Sequence, residues 1–158
     1  MKKIILVICF LFLGLNSFAT EGTQTEALNF FKSYINAANS YSPALLSMYS
    51  NNAKIIRQVI KPNGHLVNVP FSINDYRKQM TISSKVAKMR NYKNYYSNIV
   101  ASEVPNGFKI TSNRKPSMSK NDSLKTTMVV QKQKNGKWLI VEETMQTREQ
   151  IFLKYAKK

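Results

Sequence analysis

The chain has 158 residues, with 24 Lys or Arg against 8 Asp or Glu and a formal net charge of +16. A single cysteine, Cys9, and a single histidine, His65, exclude a disulfide within the chain, cysteine-based metal sites and any multi-histidine site. The bases are scattered without a long run or a recognition motif, so no specific nucleic-acid partner is expected; such a surface suits weak contact with anionic surfaces instead.

The first element is a leader. Met1-Lys2-Lys3 is a short positive segment, Ile4 to Leu15 is unbroken apolar sequence, and Ser17-Phe18-Ala19 follows polar Asn16 with small residues at the cleavage positions. These parts in this order read as a signal peptide over residues 1–19, cut after Ala19. The apolar run falls short of the about 20 residues a membrane-spanning helix requires. Cys9 lies inside the leader and leaves with it, so the mature chain has no thiol nucleophile. Residues 20–158 are then expected as a single domain, periplasmic or secreted, with 22 bases against 8 acids and a net charge of about +14.

Thr23-Gln-Thr-Glu26 is a capping-box pattern. Behind it Ala27, Leu28, Phe31, Tyr34, Ile35 and Ala38 recur at helical spacing. Ser42-Pro43 opens a short helix through Leu45, Leu46 and Tyr49. A strand is expected over residues 54–60, closed by the turn Pro62-Asn63-Gly64, with a short extended piece, residues 66–69, pairing back on it. Ser72-Ile-Asn-Asp75 starts a third helix, from Ile73 to about Ile82.

Residues 92–104 and 108–114 form a hairpin around Asn106-Gly107, and residues 124–133 and 137–145 form another around Asn135-Gly136. Residues 115–122 read as a polar loop. Thr147-Arg-Glu-Gln150 begins a last short helix carrying Ile151, Phe152 and Tyr155. The fold class this order predicts is α+β: a curved antiparallel sheet with helices packed on one face.

Phe31 and Tyr34 on the opening helix, Leu46-x-x-Tyr49-x-x-Asn52-Ala53, Tyr76 on a later helix, and Asn135-Gly136-Lys137-Trp138-x-Ile140 near the end form a familiar series. The chain resembles the nuclear-transport-factor-2-like (SnoaL-like) superfamily. The resemblance implies a cone with a cavity at its wide end, and homodimer formation through the open sheet. It implies no single reaction, because one scaffold serves isomerases, dehydratases and binding modules.

Acid–base candidates are scarce. Glu21, Glu26, Asp75 and Glu149 stand at helix starts, where a carboxylate favours the helix dipole. Strand alternation puts Trp138, Ile140, Glu142 and Thr144 on one face, and Leu139, Val141, Glu143 and Met145 on the other. Both faces begin apolar, so one of the two glutamates points inward and needs a cationic partner. Arg57 alternates with Ile55 and Val59, and Arg114 with Phe108 and Ile110, so Arg57, Arg114 and Glu142 are expected to meet inside the cone. Tyr95, on the opposite face to Tyr92 and Tyr96, is the aromatic candidate.

Three functions are in play. The first is an exported, non-catalytic binding or interaction domain, holding a small amphipathic ligand in its cone or an envelope protein on its sheet. The second is an isomerase- or hydratase-like enzyme with Glu142 as acid/base, assisted by Tyr95 or Arg57. The third is a basic module docking on anionic envelope surfaces. No metal or cofactor is expected, since no metal-ligand spacing, phosphate-binding glycine loop or nucleophile elbow occurs.

Overall fold

The computed structural model describes residues 22–119 and 123–156. The expected leader lies outside the described residues, as do residues 120–122 of the polar loop. Among the described residues no helix is long and apolar enough to cross a membrane.

The first helix, α1 (Gln24–Asn39), starts as its sequence requires. The Thr23 hydroxyl accepts from the Glu26 amide at 3.2 Å, and the Glu26 carboxylate accepts from the Thr23 amide at 2.8 Å. Its buried stripe is Ala27, Phe31 and Tyr34. Both ends are tied to one strand: Gln24 donates to the Ala101 carbonyl, and the Asn39 amide exchanges two 2.9 Å bonds with the Asn94 backbone. A short α2 (Ala44–Ser47) leads into the sheet.

Six strands follow in the order β2-β1-β6-β5-β4-β3: β1 (Tyr49–Ile60), β2 (Leu66–Phe71), β3 (Asn94–Val104), β4 (Gly107–Pro116), β5 (Leu124–Lys132) and β6 (Trp138–Thr147). The class is α+β, with an open sheet and helices on its concave face. One pairing differs from expectation: β1 and β6 run parallel, from Lys54 beside Glu142 to Val59 beside Thr147, and the sheet is mixed. No hairpin joins these two strands, so no turn dictates their relative direction. β6 lies in the middle of the sheet.

The helix α3 (Ile73–Met89) is capped by Ser72, whose Oγ accepts from the Asp75 amide at 3.1 Å. It runs about two turns past the expected end near Ile82. Asn106 takes a positive φ of 65°, so the first hairpin turns on Pro105 and Asn106, and Gly107 already belongs to β4. That glycine is needed for close approach, since a Cβ there would run into the carbonyl oxygen of Val130. Thr147 ends β6 rather than opening a helix, and the closing element is a 3-10 helix, Gln150–Tyr155. Its Phe152 and Tyr155 rings lie 5.8 and 5.1 Å from Phe71 on β2.

The core fills the concave face: Ile55 and Val59, Val69, Ile110, Met128 and Val130, and Ile140 pack with Phe31 and Tyr34 of α1. Burying each such side chain contributes roughly 1.5–3 kcal/mol. The same face carries six buried polar residues, Arg57, Ser112, Arg114, Thr126, Glu143 and Thr147.

Candidate ligand cavity

A bulge in β6 decides which glutamate enters the core. On β5, Val130 and Val129 are adjacent, but they stand beside Ile140 and Glu142, so Val141 is an extra residue on β6. The insertion reverses the alternation. Ile140 and Glu143 both point inward, 0% and 1% exposed. Glu142, expected in the cone, lies on the outer face, where its half-exposed carboxylate meets Lys54 at 3.1 Å.

A second bulge occurs in β3, between Ser97 and Val100, with Asn98 at a φ of 51°. Tyr96 and Ala101 point inward on its two sides. Tyr95, the aromatic candidate, projects from the outer face and is 58% exposed, so it does not join the site. Arg57 and Arg114 are both buried and both reach the interior, as alternation predicts.

Glu143 is closed in by donors. Arg57 Nη1 donates to its Oε1 at 2.6 Å, while the hydroxyls of Tyr49 and Tyr34 donate to Oε2 at 2.5 and 3.4 Å. The Tyr76 hydroxyl bonds that of Tyr49 at 3.0 Å, and the Arg57 guanidinium lies 5.0 Å from the centre of the Tyr76 ring. Burial, and then the Glu143 charge, hold the Tyr34 and Tyr49 phenols well above their usual range and push Tyr76 up to about 12. For Arg57 burial works against the charged form, but the Glu143 carboxylate outweighs it and raises the guanidinium above its ordinary value. At neutral pH the three phenols around the Arg57–Glu143 pair therefore keep their protons.

Nothing in the sequence pattern marks this cluster beyond the apolar spacing of Tyr34 and the family-like positions of Tyr49 and Tyr76. Glu143 is visible there as the alternative to Glu142, and only the bulge separates them.

Beside the cluster is a cavity of about 370 Å³ between the concave face of the sheet, α1, α3 and the closing helix. Leu46, Met80, Ala87 and Phe152 give it apolar walls, and Tyr34, Tyr76 and Tyr96 add rings. Two guanidiniums, Arg57 and Arg114, also line it. Glu143 does not; it sits behind Arg57 and the tyrosines, and its side chain is 0% exposed.

Arg114 differs from Arg57 in its partners. Its Nη1 donates to Asn94 Oδ1 at 2.7 Å and to the Tyr92 hydroxyl at 3.5 Å, and its Nη2 donates to the Gln146 carbonyl at 2.6 Å. All three acceptors are neutral, and its buried Nε has no partner among the described residues. Among the described residues the interior thus holds two buried guanidiniums and one buried carboxylate. The cavity wall carries an acid of its own, Glu149, which is exposed and pairs with neither arginine. No group of metal-ligating side chains occurs among the described residues.

This arrangement offers an anion a buried positive charge, phenolic donors and an apolar enclosure, within the size range of small-molecule sites. Among the described residues its lining holds no imidazole, and its acid, Glu149, is exposed.

No protein-family model and no curated protein matches the sequence. Solved structures do match the fold. An NTF2-like protein of unknown function from Pseudomonas putida superposes with a TM-score of 0.57 at 8% identity, over 77% of this chain and 84% of its own. The yeast UBP3-associated protein BRE5 gives 0.56 at 16% identity, over 78% and 96%. Nuclear transport factor 2 of Cryptosporidium parvum gives 0.55 at 10% identity, over 75% and 89%. At these identities the likeness is one of architecture, and it agrees with the α+β arrangement read from the residues and with the resemblance: the chain has the nuclear-transport-factor-2-like fold.

Proposed function

We propose that this chain is an exported, non-catalytic binding domain that holds a small amphipathic anion in its cavity, head group at Arg114 and apolar body against Leu46, Met80 and Phe152. The observation that carries the reading is the charge balance of the interior. A buried guanidinium is costly unless a negative charge offsets it. Glu143 is already committed to Arg57, which leaves Arg114 with neutral acceptors only among the described residues. A carboxylate, sulfate or phosphate head group supplies the missing charge. The sealed state of Glu143 and the outward position of Glu142 both favour binding over proton transfer. Export rests on the leader-like segment over residues 1–19.

The reading is tested by titrating a medium-chain carboxylic acid and the alcohol of the same chain length into the protein, following tyrosine and tryptophan fluorescence. The acid should bind more tightly than the alcohol by roughly tenfold or more, as charged hydrogen bonds do. Arg114→Met should erase that preference while leaving the alcohol's affinity unchanged. Equal affinity for acid and alcohol, or binding of neither, would overturn it.

A further inference from the structure

The helix α3 has two apolar sides. At 3.6 residues per turn, Tyr76, Met80 and Ala87 fall on the side that faces the sheet and cavity. Ile82, Val86 and Met89, at i, i+4 and i+7, fall on the opposite pole, and they are 70%, 46% and 87% exposed. A single exposed apolar side chain is ordinary, but three in one stripe facing away from the core form an unpartnered surface. Beyond the helix Met118 is exposed as well. It sits on the turn that Ser117 bonds to both sides of Lys93, four residues beyond Met89.

The charge around this stripe is of one sign. From Tyr76 to Ser102 the chain has no acid and six bases: Arg77, Lys78, Lys85, Lys88, Arg90 and Lys93. None of the six enters an ion pair among the described residues. Lys78 and Lys85 flank the stripe along the helix, and Lys88 and Arg90 sit at its end.

We propose that this outward pole of α3 docks on an anionic lipid bilayer. The apolar stripe enters the headgroup–acyl boundary, and the lysines beside it meet lipid phosphates. A second copy of the chain is the poorer occupant, since it brings the same bases and the same sign of charge. The stripe also stands on the side of α3 turned away from the sheet and the cavity. Docking in this orientation sets the inner side of α3, which walls the cavity through Met80, Ser84 and Ala87, directly above the lipid. The proposal does not depend on what the cavity holds.

A local probe separates this contact from any attachment through the amino-terminal segment. A nitroxide is placed at Met89→Cys in the full chain carrying Cys9→Ser, with a second label at Tyr95→Cys on the opposite face of the sheet as control. Collision with oxygen and with a water-soluble nickel complex is measured on phosphatidylcholine vesicles and on vesicles half phosphatidylglycerol, at about 0.1 M salt. The label at 89 should become oxygen-accessible and nickel-protected on the anionic vesicles only, while the label at 95 stays aqueous. Lys85→Glu with Lys88→Glu should lower the immersed fraction by about fivefold or more.

An aqueous label at 89 while the protein sediments with anionic vesicles would overturn the proposal, as would equal immersion on neutral lipid. Concentration-dependent immobilisation at 89 without vesicles would assign the stripe to a second copy instead.

Discussion

Exchanging Glu143 for Gln removes one charge, keeps nearly the same volume, and tests the reversal of alternation in β6. In the native chain the carboxylate accepts from Arg57, Tyr49 and Tyr34 with no solvent contact. The amide nitrogen of the substituted side chain cannot accept the tyrosine protons, and Arg57 loses its counter-ion inside an interior that already holds Arg114. Breaking a buried pair in this way costs about 3–5 kcal/mol. The adjacent Glu142→Gln removes a pair whose partners are 50% and 77% exposed, which is worth about 0–1 kcal/mol. Urea and thermal unfolding followed by Trp138 fluorescence compare the two. The Glu143 variant should melt roughly 10–20 °C lower, and the Glu142 variant within a few degrees of the parent. Replacing both partners, Arg57→Met with Glu143→Leu, should recover most of the loss, because no unpaired charge remains. If the two glutamine variants fell within about 1 kcal/mol of each other, the sealed ion pair would not be what holds this part of the core.

Other outcomes follow from single features. Because Tyr76 titrates near 12 in the folded chain against an ordinary 10, its contribution is fully present below pH 10 and is lost as pH climbs through 12. Tyr34 and Tyr49 shift the same way, so phenolate absorbance of the buried set should appear only as near-ultraviolet circular dichroism collapses. Buried phenolates forming in a chain that keeps its dichroism would count against the cluster. Gly107→Ala should lower stability by about 1–3 kcal/mol in urea, since the added methyl meets the backbone of Val130 and no rotamer relieves it. Thr23→Ala should cost about 1 kcal/mol, visible as faster amide exchange in the first turn of α1.

The elements that local chemistry announces are readable in the residues: the capping box at Thr23, the Ser72 cap, and the turns at Gly64, Asn106 and Gly136. Arg57 and Arg114 are legible too, because their strands alternate without interruption on the cavity side. Parity over a distance is not. Val141 in β6 and the Asn98 region of β3 are bulges that no local signal betrays. The bulge in β6 turns Glu142 outward and Glu143 inward, and β3 carries Tyr96, not Tyr95, toward the core. The second half of α3 is hidden for a different reason. Its apolar residues follow a stripe opposite to that of the first half, so a search for one continuous buried face ends near Ile82. The parallel pairing of β1 with β6 leaves no turn to read.

That pairing has a consequence for how the chain becomes folded. β6 lies between β1 and β5, and Lys54 and Glu142, side by side across the seam, are 88 residues apart in the chain. Until the carboxy-terminal strand arrives, β1 and β2 are a lone hairpin, the three-stranded meander β3–β5 is a separate sheet, and Arg57 has no Glu143 to meet. Contacts so far apart in sequence form slowly. A chain threaded amino terminus first through a narrow passage would stay unfolded until its carboxy-terminal strand emerged, and would then close in a single late step.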